Sequence, residues 1–295
     1  MTNAGTARID HLLTYVPDLG SAGALFERMG FYLSPVSHIE SMGIANRMIL
    51  MQPQSAGQAN FIELMSPYDR GILPMAMQAV LSGDAGIRSM VLVAPEIEAF
   101  HGLMLEQGFE SAPPAHAKRE WKIPGEASVF PEFDVIFPVD MALRFNACKY
   151  YNLHLYLRED WTRHPNGALR ITKVLAVAEN PSEFEVFSRL FGYDGQDGEN
   201  GSRVYPSGDI MLEILRPETV HKRFGVELPH AGAQYLGYEI EVASLDQLRE
   251  ALKGGDVPFH ERGNTVCVAP DVGLGSLIVF SGPERLSLHP GADQN

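Results

Sequence analysis

The sequence is poor in cysteine, in positive charge and in long apolar runs, and each shortage excludes something. Only two cysteines, Cys148 and Cys267, stand among 295 residues. They lie far apart, each in an apolar stretch, so a disulfide framework is excluded and a reducing, cytoplasmic setting is expected. Lysine plus arginine number 23 against 37 aspartate plus glutamate, a formal net charge of −14. An acidic surface repels nucleic-acid phosphates and anionic membranes, so neither is expected as a partner. No apolar run approaches the ~20 residues that span a bilayer, and Met1 to Ala7 is polar with no apolar signal region. A small-molecule substrate remains, and a local arginine can still draw an anionic one into a cleft.

The rest of the composition is that of a globular protein, with 45% hydrophobic and 20% charged residues. The length suits two domains of about 150 residues. The Gly/Asp/Asn tail after His289 and the stretch Asp194 to Ser202 read as unstructured.

Apolar periods of two and of 3.6 residues alternate in the same order four times along the chain. The first copy opens with a strand, Arg8 to Val16, and turns at Pro17-Asp18 into an amphipathic helix from Ser21 to Gly30-Phe31. A glycine just past a helix suits a left-handed cap. Strand-like runs follow at Tyr32 to Glu40, Asn46 to Gln52 and Asn60 to Met65. The second copy has the strand Ile87 to Ala94, the helix Ile97 to Gln107 ending at Gly108-Phe109, and a closing strand read at Leu153 to Arg158. The third has Arg170 to Ala178, a helix from Ser182 to Leu190 and Gly192-Tyr193; the fourth has Tyr235 to Val242, a helix from Leu245 to Lys253 and Gly254-Gly255. Further strand pieces fall at Asp209 to Leu215, Thr265 to Val268 and Ser276 to Phe280, and a short helix is expected within Pro67 to Asp84. Two copies make one domain. The turn-rich Trp161 to Gly167 places the boundary so that residues 1–163 and 164–295 form the two units.

Ile9-Asp10-His11-Leu12-Leu13, Val16-Pro17-Asp18-Leu19 and Phe26 to Phe31, with His38, Met42-Gly43, Ala45-Asn46-Arg47 and Phe61-Ile62-Glu63-Leu64, resemble the glyoxalase/bleomycin-resistance/extradiol-dioxygenase superfamily. This superfamily is also called vicinal oxygen chelate, and the motifs resemble one of its glyoxalase-like subfamilies. The resemblance implies an α+β fold of four βαβββ modules, paired into two vicinal-oxygen-chelate domains with curved mixed sheets. It also implies metal ligands on the first and fourth strands of each module. His11 lies 19 residues before Gly30, and the same step back falls on Ser89 in copy two, Lys173 in copy three and Leu236, beside Gly237, in copy four. Glu63 fills the fourth-strand position of copy one. In copy two, Leu153-His154-Leu155-Tyr156-Leu157-Arg158 alternates as a strand would, so His154 is the candidate there. The implied ligands are His11, Glu63 and His154, with Ser89 leaving the fourth place open.

Two imidazoles and a carboxylate suit Fe(II), with Mn, Zn or Ni as alternatives. Tyr156 and His38 are candidate acid/base groups, and Asn46, Arg47, Ser89 and Arg158 are candidate substrate contacts. Trp121, Phe130, Phe133 and Phe137 read as core more readily than as an aromatic pocket. His164 reads as structural, and Glu213, set against Lys173, as half of an ion pair. The second domain is therefore expected to be a scaffold, a lid or a homodimer contact. Three functions stay open: an Fe(II) dioxygenase acting on a small oxygenated compound, aromatic or not; a lyase or isomerase using a divalent metal as Lewis acid; and a metal-free binding protein of the bleomycin-resistance kind.

Overall fold

The structure is a computed structural model and describes residues 8–283. Met1 to Ala7 and the tail after His289 lie outside the described residues. The first half runs β1 (Arg8–Tyr15), α1 (Leu19–Arg28), β2 (Ser37–Ile39), β3 (Ile44–Leu50), β4 (Phe61–Pro67), α2 (Met75–Gln78), β5 (Gly86–Val93), α3 (Ile97–Glu106), β6 (Ala115–Lys118), β7 (Glu132–Ile136) and β8 (Phe145–Tyr150). A short helix, α4 (Glu159–Thr162), leads to the second half. This half contains β9 (Ala168–Val177), α5 (Pro181–Phe191), β10 (Gln196–Asp197), β11 (Arg203–Ser207), β12 (Ile210–Leu215) and α6 (Pro217–Phe224). It closes with β13 (Gln234–Val242), α7 (Leu245–Gly254), β14 (His260–Arg262), β15 (Thr265–Val268) and β16 (Leu277–Ser281).

The strands form two mixed eight-stranded sheets, ordered β2-β3-β4-β1-β5-β8-β7-β6 and β10-β11-β12-β9-β13-β16-β15-β14. In each sheet two βαβββ modules meet at an antiparallel pair, β1 with β5 and β9 with β13. A parallel strand flanks the pair on either side. Local chemistry starts the helices: Asp18 accepts from the Ser21 amide, Asn180 and Glu183 form a capping box, and Ser244 accepts from the Gln247 amide. Gly30, Gly108 and Gly192 take the left-handed conformation expected after their helices. Gly255 does not; its φ is −88°, and its backbone packs directly on Arg28.

One hydrophobic core serves both halves. It joins Phe26 of α1, Phe100 of α3, Phe187 of α5 and Leu252 of α7 to Ile62 and Leu92 of the first sheet and to Val174 and Ile240 of the second. Each such side chain stabilises the fold by roughly 1.5–3 kcal/mol relative to its exposed state. Polar ties cross the same seam. Asn60 donates to the Ile171 carbonyl at 2.9 Å and accepts from the Ile171 amide at 2.8 Å. The connector 159–168 lies between the two sheets, where the turn residues suggested a boundary.

The opposite faces of the sheets differ. The second is filled by α6, whose Val220 and Phe224 pack on Leu175, Leu236 and Val279. The first is only partly filled, by Leu73, Met77 and Leu81 around the one-turn α2, and a cavity remains there.

Copy two closes differently from its expected form. Residues Leu153–Leu157 form a 3-10 turn, and the closing strand is β8. Asn152 ends the strand, donating to the Phe130 carbonyl and accepting from the Glu132 amide. The alternation of Leu153, Leu155 and Leu157 therefore belongs to a turn. Beyond β8, the Asp194 to Ser202 stretch, expected to be unstructured, holds β10 and a 3-10 turn.

Candidate metal centre

The register of the first sheet defines four related positions. Leu13 of β1 pairs with Glu63 of β4 and with Ser89 of β5, while His11 pairs with Val91, and Val91 pairs with Asn146 of β8. A two-fold axis between β1 and β5 thus exchanges His11 with Ser89 and Glu63 with Asn146. His11, Glu63 and Asn146 line a buried cavity of about 50 Å³. Since a water molecule's share of liquid is about 30 Å³, that is room for a cation or one or two waters.

A β-bulge shapes the centre. The β1–β5 register skips Asp10 between Ile9 and His11. Ile9 and Leu12 consequently both face the shared core although they are three residues apart. The bulge turns Asp10 to the side of His11, which strict alternation forbids. Asp10 Oδ2 accepts from His11 Nδ1 at 2.9 Å and from the Tyr150 hydroxyl, and Oδ1 accepts from the Ala59 amide at 2.6 Å. The imidazole stacks on Phe61, with ring centroids 4.0 Å apart. Its proton is thereby held on Nδ1, and Nε2 is aimed at Glu63 Oε2, 3.7 Å away. Glu63 is held from its other oxygen, where Oε1 accepts from Asn46 Nδ2 at 2.7 Å and Arg119 Nη1 at 3.0 Å. Ser37 in turn donates to Asn46.

The electrostatics follow from these contacts. Burial opposes a charged imidazole, but the hydrogen bonds and charges of Asp10 and Glu63 outweigh it and raise the pKa of His11. Burial also opposes a charged Glu63, yet Arg119, then His11 and Asn46, pull its pKa below the usual carboxylate range. Cys148 stays a thiol, pushed well up by burial and by the Asp10 charge.

The donor chemistry fits a divalent cation. Nε2 of a histidine whose Nδ1–H is tied to a carboxylate is a preorganised ligand. At 3.7 Å, Nε2 and Oε2 are too far apart for a hydrogen bond. They are close to the ~3.0–3.6 Å that separates two donors each ~2.1 Å from one metal. Asn146, which accepts from Ser89 Oγ at 2.6 Å, supplies a neutral oxygen at the related position. Asp10, His11 and Cys148 also crowd within 4.8 Å of one another. That grouping is the weaker candidate, because both Asp10 oxygens are already engaged and the thiol is neutral.

The structure gathers His11, Glu63, Asn46 and Ser89 at the centre, with Asn46 and Ser89 orienting Glu63 and Asn146. It does not bring His154 there: the residue is exposed on the 3-10 turn, because β8 has already ended. His38 is exposed on the edge strand β2, against Tyr68. Arg47 points to the other face of its strand, to the Ser34 carbonyl and Glu27. Arg158 grips Glu126 at the surface. Tyr156 is buried one layer behind the cavity, stacked on Phe61, with its hydroxyl unpartnered. Phe133 and Phe137 line the cavity, Trp121 is core and Phe130 is about half exposed. His164 is structural, accepting from the Tyr32 amide and donating to the Leu50 carbonyl.

Four residues of the centre escaped the sequence reading: Asp10, Arg119, Asn146 and Tyr150. Asn146 had a signal. Glu63 lies 33 residues after Gly30 and Asn146 38 after Gly108, whereas His154 lies 46 after it. Asp10 was hidden by the bulge, and Arg119 has no motif of its own.

The second sheet repeats the frame without the ligands. Lys173 pairs with Glu239 at 3.0 Å, and Glu213 pairs with Arg223 rather than with Lys173. At Gly237 the backbone of Leu277 leaves no space for a side chain. A larger cleft of about 910 Å³ opens between the halves, around Arg88, Arg144 and Tyr235. Its guanidinium groups hold Asp140 and backbone carbonyls, and it lacks converging ligands.

Comparison with known proteins agrees with this geometry. The family model described as Glyoxalase-like domain matches residues 9–190, through the whole first sheet and into α5. No curated protein matches the sequence. Among solved structures, a hypothetical protein from Staphylococcus aureus is similar with a TM-score of 0.65 at 12% identity, over 94% of this chain and 99% of that one. A mutant 4-hydroxymandelate synthase from Streptomyces coelicolor gives 0.57 at 10% identity, over 94% and 93%. The Mn(II)-bound glyoxalase from Novosphingobium aromaticivorans gives 0.53 at 14%, over 94% and 83%. At these identities the likeness is one of fold.

Proposed function

Because the chain belongs to the glyoxalase-like domain family of the vicinal oxygen chelate superfamily, we propose that it is a metal-dependent enzyme acting on a small oxygenated compound. The observation that carries this reading is His11 Nε2 facing Glu63 Oε2 across a buried cavity, with Nδ1 locked by Asp10. His11 and Glu63 would hold the cation, with Asn146 beside them. One imidazole among oxygen donors favours a hard cation of the Mn(II) type over Fe(II), since the facial site of Fe(II) oxygenases needs a second histidine. That preference points to lyase or isomerase chemistry rather than dioxygenation. The bound cation would supply Lewis-acid polarisation of a substrate oxygen.

The chain's own residues do the rest. Asp10 and Tyr150 hold the imidazole in one orientation and one tautomer. Arg119 and Asn46 keep Glu63 ionised, which suits it to binding a cation better than to accepting a proton near neutral pH. Met65, Met77, Phe133 and Phe137 keep bulk water out of the cavity.

One observation favours a second reading. With His11 protonated, Asp10 and Glu63 are balanced by His11 and Arg119, so the pocket is electrically neutral with no cation and could serve a metal-free binding protein. Metal analysis of protein purified without chelator separates the two. About one divalent ion per chain is expected in the wild type and in His154→Ala, and less than about a tenth of that in His11→Ala and Glu63→Gln. Wild-type protein without stoichiometric metal, or His11→Ala with a full complement, would decide for the metal-free pocket. Oxygen uptake by metal-loaded protein on a catechol and hydroquinone panel tests the dioxygenase alternative.

A further inference from the structure

Arg119 has more donors than the protein uses. Its guanidinium is 6% exposed in the wall of the cavity and lies over the Phe133 ring at 4.6 Å. Among the described residues, the guanidinium's hydrogen bonds to protein leave from Nη1 alone, to Glu63 Oε1 at 3.0 Å and Met48 Sδ at 3.7 Å. Nε is buried with no partner. Among the described residues no hydrogen bond leaves Nη2 either, and Nε with Nη2 is the edge that grips a carboxylate through two parallel N–H···O bonds once a ligand reaches Nε, which is sealed in this structure. Two neighbours share the deficit: Trp121 Nε1 and the Tyr156 hydroxyl are also buried without partners, their rings 5.2 Å apart. Guanidinium and indole N–H groups can only donate. The Tyr156 hydroxyl can also accept and, like Trp121, lies behind the cavity; Arg119 is the group in the cavity wall whose buried donor lacks an acceptor, which is costly.

We propose that Arg119 is the receptor for a carboxylate on the substrate, which is thus a short-chain carboxylic acid with an apolar tail. The inference rests on the metal-site reading above. With a divalent cation on a neutral His11, the buried Asp10, Glu63, Arg119 and cation together carry one net positive charge, and a monocarboxylate neutralises it. Met42, Ile44, Met65, Met77 and Phe137 give the tail an apolar wall. The volume of about 50 Å³ holds the cation or one or two waters, so a carboxylate with its tail enters only if the α2 segment moves.

The test titrates acetate, propanoate and butanoate, and the isosteric amides acetamide and propanamide, into Mn(II)-loaded protein by calorimetry, with metal content measured on the same samples. The acids should bind at least about tenfold more tightly than the amides. Arg119→Lys, which keeps a charge beside Glu63 but loses the fork, should weaken the acids by at least about tenfold per bound Mn(II) while the amides bind as they do to wild type. In wild-type protein labelled with ¹⁵N-arginine, the Arg119 Nε–H proton should move downfield with propanoate and not with propanamide. This last measurement does not depend on any variant folding. Equal binding of acids and amides, an Arg119→Lys affinity equal to wild type, or an unmoved Nε–H signal at saturation would each overturn the proposal. The last two would leave the donors to ordered water or the acid to the cation. Absence of stoichiometric metal is a separate failure, read from the metal assay, and strikes the function rather than the receptor.

Discussion

Asp10 and His11 are neighbours in sequence and act as one unit. Asp10 reaches Nδ1 of His11, the Ala59 amide and the Tyr150 hydroxyl, and touches nothing in the cavity. Asp10→Asn keeps the shape but removes the charge that steadies the imidazole, so metal affinity should fall about 10–100-fold. Competition against a calibrated chelator measures this, and an unchanged affinity would show that the pair is structural only. A second histidine matters for a different reason. Burial lowers the pKa of His164 to about 4, against the Leu50 hydrogen bond, which raises it. The unfolded chain takes up a proton near pH 6.5 and the native chain not until about 4. The stability this neutral histidine contributes is therefore complete above pH 6.5 and shrinks as pH falls toward 4. Between pH 7.5 and pH 5 the loss from this residue should be about 2 kcal/mol. Urea titrations at the two pH values should show a smaller acid loss in His164→Gln than in wild type; equal slopes would contradict the assignment.

Elements decide which sheet can have a site. On the second sheet, α6 is long enough to lay Val220 and Phe224 across the face, and Phe224 is 5% exposed. Phe224→Ala should cost about 3–5 kcal/mol in chemical denaturation, and a loss under about 1 kcal/mol would mean that α6 does not seal that face. On the first sheet, α2 spans only Met75–Gln78, and the space it leaves is the cavity. The bulge at Asp10 and the end of β8 at Tyr150 then choose the residues that line it. Both are departures from regular alternation, and both caused a misreading. The leucine neighbours of His154 read as a strand, and Asp10 was not singled out at all. Helices and first strands, which carry a strong period and capping residues, were legible to within one or two positions in most cases. Thr265 to Val268 matches β15 end to end.

The molecule behaves as more than two beads on a string, because the helices of both halves pack into one core and Phe31 of the first half lies 6.3 Å from Phe280 of the second. Calorimetry should therefore show a single cooperative transition for the full chain; two resolved transitions would mean that residues 1–163 and 164–295 fold independently. Among the described residues no helix is long and apolar enough to cross a membrane.

Four repeats of strand, helix and strands could be read from residue order, because periodicity and caps are local properties that need no partner to be visible. His11 and Glu63 could be singled out as well, from the motifs Ile9-Asp10-His11 and Phe61-Ile62-Glu63-Leu64 that resemble the superfamily's. Folding in three dimensions was needed to set His154 outside the cavity and Asn146 in its wall, to turn Asp10 behind His11 and to bring Arg119 onto Glu63 from 56 residues away. Register, bulges and long-range ion pairs depend on what one strand meets on another, and no local pattern encodes that meeting.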